Sequence, residues 1–218
     1  MKALPRIDNY IFDLDGTLVD SAGDIIDCLN YAYSFIPELG HPKIEKTVIG
    51  PPVAGMAKRI TPKINDKQIH IIVSKYRECY DKSDLPKTKL YSGVEMLLNK
   101  LSAKGSSLYL VTNKPILSTR HIINKFSIDK FNKIMSPDSI AGKNLNKVEM
   151  VSYLMDNHAL NKKETIIVGD TESDVQAGKK NGIITAVVLG GYGTDKSLKK
   201  CQPDYIFNSL NDVEDLVI

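Results

Sequence analysis

Two aspartates one residue apart mark the part of this sequence that could carry chemistry. Asp13 and Asp15 follow the apolar run Tyr10-Ile11-Phe12, which is typical of a buried strand. Side chains two residues apart in a strand point to the same face, so the two carboxylates are expected to lie close together. Carboxylates that close repel each other unless a cation or a shared proton separates them. The pair therefore predicts a metal site or an acid beside a nucleophile, and Gly16 and Thr17 are expected to turn the backbone and offer N–H groups to an anion.

Two other predicted strands also end in polar residues. Thr112 and Asn113 follow the second of these strands, and Asp170 and Asp174 follow the third. The carboxyl ends of parallel strands meet at one edge of the sheet, where open α/β sheets bind their ligands. One such residue would more simply cap the next helix, but polar groups at three strand ends indicate a functional site.

These residue types suit phosphoryl transfer. Asp13, Asp170 and Asp174 offer the hard oxygen ligands that Mg²⁺ prefers. An aspartate can also attack phosphorus and form an aspartyl-phosphate. Asp15 can then act first as general acid and afterwards as general base.

Phosphate binding requires further groups, and we expect Thr112 and the backbone amides around Asn113 to hold phosphate oxygens. A lysine is needed to offset the crowded negative charge. Lys147 is the preferred candidate, because it lies in the first turn of a predicted helix, and a helix N-terminus favours anions. Lys143, a few residues earlier, is the alternative.

The elements that must position these residues follow an α/β pattern. From about residue 90 onward, continuous apolar strands alternate with helices, which predicts a parallel sheet covered on both faces. Only helical periodicity is found in the preceding segment. We therefore predict a Rossmann-like parallel-sheet core formed by residues 1–19 and 89–218, with a helical cap domain inserted at residues 20–88.

Local signals predict several helix starts. Ser21 is expected to cap the first helix of the insert. The pairs Ser92 with Glu95 and Asn146 with Glu149 have the spacing of a capping box. A last helix is expected near residues 211–217.

Composition narrows the possible partners. The 218 residues are 42% hydrophobic and 25% charged, and the net charge of +3 is not concentrated in a basic block. These values indicate an ordinary globular protein and argue against binding to nucleic acid or to a membrane surface. No run of about 18 apolar residues is present to span a membrane. The sequence does not predict the oligomeric state.

Cysteine usage and the N-terminus favour a cytoplasmic protein. Cys28, Cys79 and Cys201 lie far apart and show no C-x-x-C spacing, so we expect reduced thiols and no disulfide. No apolar run follows the charges of residues 1–6, so no signal peptide is expected.

Three segments resemble the motifs of the haloacid dehalogenase superfamily. The run from Asp13 to Ser21 resembles its first motif, Val111-Thr112-Asn113-Lys114 its second, and the run from Gly169 to Asp174 its fourth. Their order and spacing are similar across essentially the whole chain. A helical insert directly after the first motif resembles the phosphoglycolate phosphatase-like branch.

The resemblance implies a role for each candidate residue. The implied roles are nucleophile and Mg²⁺ ligand for Asp13, acid–base residue and backbone-carbonyl Mg²⁺ ligand for Asp15, Mg²⁺ ligand for Asp170, ligand or partner of a ligand for Asp174, and phosphate contact for Thr112 and Asn113. A lysine would orient the phosphate and the nucleophile. Many relatives carry Lys-Pro-x-Pro at that lysine, whereas this chain has a lysine followed by x-Glu and an apolar helix, which favours Lys147 over Lys143.

The resemblance also ranks the possible reactions. True dehalogenases and phosphonatases lack the second aspartate, so Asp15 argues against both chemistries. No histidine lies between residues 21 and 40, where mutases of the family usually carry one. We therefore predict an Mg²⁺-dependent phosphatase of a small phosphorylated metabolite. The alternatives are a phosphotransferase or phosphomutase with the same covalent step, and a non-enzymatic receiver-like switch, which the insert over the site disfavours.

The insert contains one segment that could reach the site. Gly50-Pro51-Pro52 interrupts the helical pattern and predicts a rigid loop, which either simply breaks the helix or contacts the leaving group. Gly190-Gly191-Tyr192-Gly193 follows a predicted strand and is interpreted as a turn at the edge of the substrate site.

Overall fold

A six-stranded parallel sheet forms the centre of the computed structural model, which describes residues 6–213. The strands of the described residues are β1 (Asn9–Phe12), β2 (Val19–Asp20), β3 (Lys89–Leu90), β4 (Ser107–Val111), β5 (Lys133–Met135), β6 (Thr165–Gly169), β7 (Ile184–Val188) and β8 (Tyr205–Phe207). The order across the sheet is β5-β4-β1-β6-β7-β8. The predicted Rossmann-like α/β fold is therefore confirmed.

The alternation of side chains along the strands explains why both faces of the sheet are covered. In β1, Tyr10 and Phe12 join one hydrophobic cluster, whereas Ile11 joins the cluster on the opposite face. The same alternation separates Leu110 from Val111 in β4. A strand with no polar face cannot be left open to water on either side, so helices pack on both.

Helices make up most of the remaining regular structure. The α-helices of the described residues are α1 (Ala22–Tyr33), α2 (Val53–Ile60), α3 (Asp66–Tyr80), α4 (Val94–Ala103), α5 (Ile116–Phe126), α6 (Lys147–Asn157), α7 (Glu172–Asn181), α8 (Asp195–Lys200) and α9 (Leu210–Val213). Short 3-10 turns lie at Pro37–Leu39, Lys46–Val48 and Lys162–Glu164. None of the helices in residues 6–213 is long and apolar enough to cross a bilayer.

Some predicted caps are present and others are not. Asn146 and Glu149 form the capping box at the start of α6, as predicted. The predicted box of Ser92 and Glu95 is wrong, because α4 begins after Gly93, whose φ of 86° gives a different entry. The Ser21 side chain makes no cap hydrogen bond to α1 and is used elsewhere.

The helical segment leaves and re-enters the sheet domain at one place. Helices α1, α2 and α3 lie between β2 and β3, which pair antiparallel through Val19 with Leu90 and Asp20 with Lys89. The sequence did not reveal these two-residue strands. The division into a core of residues 1–19 and 89–218 and a cap of residues 20–88 stays a prediction.

A disulfide joins two helices of this segment. Cys28 on α1 and Cys79 on α3 are bonded, with their Cα atoms 5.5 Å apart. The prediction of reduced thiols is therefore wrong for this pair, because the packing of α1 on α3 brings together residues separated by 51 positions. Cys201 has a free thiol and is half-buried.

Two expectations concern chain ends. The predicted last helix at residues 211–217 begins within α9, and its remainder lies outside the described residues. Most of the N-terminal segment for which no signal peptide was expected also lies outside them.

Candidate active site

The register of the sheet brings the predicted strand ends together. Strand β1 lies between β4 and β6, with Phe12 opposite both Leu110 and Val168. The residues that follow these strands therefore share one edge of the sheet. The backbone N–H of Asp13 donates to the carbonyl of Val168 over 3.0 Å, which continues the pairing one residue beyond β1.

Three carboxylates meet at this edge. Asp13, Asp170 and Asp174 are all buried, and each offers an oxygen within 4.8 Å of the others. The first two follow β1 and β6, and Asp174 lies in the first turn of α7. This acidic triad brings together three of the four predicted metal ligands.

Lys147 supplies the positive charge of the triad. Its Nζ lies 2.8 Å from Asp13 Oδ2 and 2.7 Å from Asp174 Oδ1, and the side chain is 4% exposed. It is the first residue of α6 and directly follows the Asn146 cap. Lys143, the alternative, is exposed. The structure therefore places Lys147 beside the predicted nucleophile.

One ammonium does not balance three buried carboxylates, and the pKa values reflect this. Burial raises the pKa of Asp13 well above its usual range, the Lys147 ammonium opposes this rise, and Asp174 and Asp170 add to it. Burial, with Asp174 next in effect, raises the pKa of Asp170 to about 7. Burial disfavours the charged form of Lys147, but Asp13 and Asp174 more than offset this and raise its pKa. Hard oxygen donors with excess negative charge are suited to a divalent cation.

Two hydrogen bonds and a tight glycine contact hold the Asp170 carboxylate. Its Oδ1 accepts from the Thr17 hydroxyl over 2.8 Å, and its Oδ2 accepts from the Tyr192 N–H over 2.7 Å. A Cβ at Gly16 or Gly191 would overlap this carboxylate, so only glycine lets the two loops approach it.

Gly16 does not have the predicted role of an anion-binding N–H. Its N–H donates to the Val19 carbonyl over 2.8 Å, because the turn that begins at Leu14 closes on itself. The N–H groups of Leu18 and Val19 both donate to the Leu14 carbonyl in the same turn. The contribution of Gly16 is instead the space that it leaves for Asp170.

Asp15 is separated from the triad in its contacts. Its Oδ1 accepts from the Ser21 hydroxyl over 2.5 Å, and its Oδ2 lies 3.2 Å from Lys114 Nζ. The backbone N–H of Ser21 donates to the Tyr192 hydroxyl over 2.7 Å. Both oxygens of Asp15 are thus bound by residues outside the triad, although Asp13 and Asp15 line the same cavity.

Thr112 and Asn113 lie where they were predicted, at the end of β4. The Thr112 hydroxyl accepts from the N–H of Lys114 over 3.2 Å, and the side chain is buried. The Asn113 amide donates to the carbonyl of Gly50 over 2.7 Å. Asn113 therefore links the sheet edge to the Gly50-Pro51-Pro52 loop, which does reach over the site.

The loop separates two spaces. A cavity of about 230 Å³ lies on one side, with Asp13, Asp15 and Thr112 on the side of the sheet and Met56, Val73 and Tyr76 on the side of the helical segment. An open cleft of about 870 Å³ lies on the other side. Residues 49–52 line both, so the loop forms a wall between them.

The sequence motifs did not predict several side chains that contact the site. Thr17, Lys114 and Tyr192 were each part of a segment that was singled out, but none was assigned these contacts. Tyr80 on α3 lies outside the motifs named from the sequence, yet its hydroxyl accepts from Lys114 Nζ over 2.9 Å. Thr17, Lys114 and Tyr192 could have been found from the sequence, because each lies in or beside a named motif. Tyr80 has no such signal.

The fold and the site together define an α/β protein with a buried acidic centre under a helical segment. Residues 10–188 match the family model described as haloacid dehalogenase-like hydrolase, and the chain belongs to this family. It is 28% identical to a 5'-nucleotidase of Pseudomonas aeruginosa over 92% of this chain and 90% of that one. It is also 28% identical to a phosphoglycolate phosphatase of Vibrio parahaemolyticus over 94% of each chain.

Solved structures agree with this assignment. A haloacid dehalogenase-like family hydrolase from Streptococcus pneumoniae has a TM-score of 0.83 at 27% identity, covering 97% of this chain and 99% of that one. The predicted family and the predicted enzyme class, a phosphoric monoester hydrolase, are confirmed by these comparisons.

Proposed function

We propose that this protein is an Mg²⁺-dependent phosphatase that hydrolyses a small phosphate monoester through an aspartyl-phosphate on Asp13. The observation that carries the proposal is the acidic triad with Lys147, whose member Asp13 lines a cavity together with Asp15. A carboxylate nucleophile, a cation site and a second carboxylate are the groups that this reaction needs.

The triad fits the cation. Asp13 and Asp170 would hold Mg²⁺ through their carboxylates and Asp15 through its backbone carbonyl. Asp174 would act through Lys147 and Thr171, because both of its oxygens already accept hydrogen bonds from these residues. When bound, the cation would neutralise charge on the transferred phosphoryl group.

The protein residues account for the two chemical steps. In the first, an Asp13 oxygen attacks phosphorus, the bond from phosphorus to the ester oxygen breaks, and Asp15 donates a proton to the leaving oxygen. In the second, Asp15 takes a proton from water, the water oxygen attacks phosphorus, and the bond to Asp13 breaks. Lys147 would hold Asp13 and the phosphate in place, with Thr112 and Asn113 on the phosphate oxygens.

The size of the cavity supports a small substrate. Its volume of about 230 Å³ is below the roughly 300–1,000 Å³ that is usual for ligand pockets. One relative is named a 5'-nucleotidase and the other a phosphoglycolate phosphatase. Of these, the small cavity favours a phosphoglycolate-like ester as the substrate of this chain. The helical segment would act as a cap that excludes water during the reaction.

A cytoplasmic location is also part of the proposal, because small phosphate esters are metabolites of that compartment. Disulfides are rare in that compartment, so the oxidation state of Cys28 and Cys79 in the cell should be measured.

The proposal predicts different defects for the two aspartates of the first motif. Asp13→Asn should reduce phosphate release from p-nitrophenyl phosphate to background, because no nucleophile is left. Asp15→Asn should lower turnover by about 10²–10⁴-fold, because no base is left to activate the water that attacks the aspartyl-phosphate. A phosphorylated form of this variant should therefore accumulate. Mass spectrometry of the acid-quenched protein detects that form.

The matched control is Asp156→Asn, an exposed aspartate on α6, which should leave activity unchanged. Full activity of Asp13→Asn, or activity unaffected by EDTA, would contradict the proposal. Transfer of phosphate to an added hydroxyl compound in place of water would instead identify a phosphotransferase, and a phosphorylated wild-type protein that persists for minutes would identify a switch.

A further inference from the structure

A buried lysine beside Asp15 has no role in the mechanism above. The Lys114 side chain is 5% exposed, and its Nζ lies 3.2 Å from Asp15 Oδ2. A buried ammonium is costly unless its three donors find partners. The other partner is Tyr80, whose hydroxyl lies 2.9 Å from Nζ and whose ring centroid lies 4.2 Å away.

The two partners of Lys114 belong to different parts of the molecule. Asp15 follows β1 in the sheet, whereas Tyr80 is the last residue of α3 in the helical segment. Lys114 is therefore a direct polar link between the sheet edge and the segment above it. The cavity that contains Asp13 is lined by Asp15, Lys114 and Tyr80 together.

Tyr80 lies near the place where the segment rejoins the sheet. Burial raises the pKa of the Tyr80 hydroxyl, and Thr88, immediately before β3, opposes this rise. The Thr88 hydroxyl also donates to Asp24 Oδ2 over 2.6 Å, and Asp24 accepts from the N–H of Lys87. Thr88 thus ties Asp24 on α1 to the start of β3, and Lys114 ties Tyr80 at the end of α3 to Asp15.

We propose that Lys114 is a positioning residue for Asp15, and that Tyr80 makes this positioning depend on the place of α3. The inference rests on the proposed role of Asp15 as proton donor. The Ser21 hydroxyl holds one oxygen of Asp15 and Lys114 holds the other, so the carboxyl group has one orientation while α3 is in place. When α3 moves away, Lys114 loses Tyr80, and the orientation of Asp15 is no longer fixed.

Esters with different leaving groups separate this role from others. p-Nitrophenolate leaves without a proton, whereas an alkoxide needs one from the general acid. The value of kcat/KM reports the steps up to departure of the leaving group, and so excludes the later attack of water. Lys114→Met should therefore lower kcat/KM for glycerol 2-phosphate at least about 10-fold more than kcat/KM for p-nitrophenyl phosphate. Tyr80→Phe should shift the same ratio in the same direction by a smaller factor.

The controls distinguish the possible failures. Lys67→Met removes an exposed lysine of α3 and should leave both values unchanged. Asp15→Asn should show the same dependence on the leaving group. If it does not, the proposed function of Asp15 fails. If it does while Lys114→Met lowers both values equally, Lys114 binds substrate or only packs, and the inference is overturned. If Lys114→Met does not fold, Tyr80→Phe decides by the same ratio.

Discussion

At the scale of single residues, the site depends on how closely other groups can approach Asp170. The Asp170 carboxylate is surrounded by Thr17, Tyr192 and two glycines, and it is fully buried. This packing fixes the orientation of the carboxylate within the acidic triad. A methyl group added at Gly16 or Gly191 would therefore displace the Asp170 carboxylate, although Asp170 itself is unchanged.

Gly16→Ala is expected to cost both activity and stability. Its Cβ would overlap the Asp170 carboxylate, and its φ of 89° disfavours any other residue. Gly105 has a similar φ of 80° but open space around it, so Gly105→Ala measures the backbone strain alone, about 1 kcal/mol. We expect kcat/KM to fall about 100-fold for Gly16→Ala only.

Urea unfolding and steady-state kinetics of both variants give the comparison. The free energy of unfolding of Gly16→Ala should fall by clearly more than that of Gly105→Ala. Equal losses of stability, with activity intact in both, would show that Asp170 tolerates the displacement.

At the scale of elements, the disulfide holds α1 against α3. It closes a loop across 51 positions, and such a cross-link stabilises by up to about 4 kcal/mol through the entropy of the unfolded chain. Cys28→Ser, or reduction with dithiothreitol, should therefore lower Tm by about 10 °C. Differential scanning calorimetry measures the shift.

Cys201→Ser is the control for this prediction, because Cys201 is a half-buried free thiol outside the helical segment. Its Tm should change little, and dithiothreitol should lower it as much as it lowers that of the wild type. A wild-type Tm that is insensitive to dithiothreitol would mean that the bond contributes nothing to stability.

The sequence predicted the elements whose signals are local. Apolar strands followed by polar residues located β1, β4 and β6, and so placed Asp13, Thr112 and Asp170 at one edge. The two-residue strands β2 and β3 carry no such signal, because they exist only through pairing with each other. The spacing of Ser92 and Glu95 also failed, since a left-handed Gly93 took the cap position.

The difference between local signals and tertiary contacts also explains which residues of the site could be predicted. Asp13, Asp15 and Asp170 could be predicted because strand ends carry them. The choice of Lys147 needed a helix start, which the Asn146 cap supplied. The Lys114–Tyr80 contact could not be predicted, because it depends on where α3 comes to rest on the sheet edge.

At the scale of the whole molecule, folding is linked to protons and to the cation. The raised pKa values of Asp13 and Asp170 mean that the native protein holds more protons than the unfolded chain between about pH 4 and pH 7. Their contribution to stability is therefore present at low pH and is lost as the pH rises toward 7. Lys147 stays charged throughout this window, because its pKa is raised.

On the proposed function, Mg²⁺ should reverse this trend, since it would bind the ionised carboxylates. We expect the rise in Tm on adding Mg²⁺ to be small at pH 5 and larger at pH 8. In EDTA, Asp170→Asn should remove part of the fall in Tm between these two values. Thermal unfolding across pH, with Mg²⁺ or EDTA, tests both statements. A Tm shift by Mg²⁺ that is the same at every pH would contradict them.

The antiparallel pair of β2 and β3 has a consequence for how the chain can change. Because Asp20 and Lys89 are paired partners, the exit and the return of the helical segment are neighbours, at a spacing that a two-residue hairpin turn can bridge. The helical segment is thus an insertion joined to the sheet at one place, the β2–β3 pair, and its disulfide lies entirely within it. A different insertion joined at β2 and β3 would not shift the register of the sheet. The residues that face the site from the helical segment would then change, while the acidic triad stays in place.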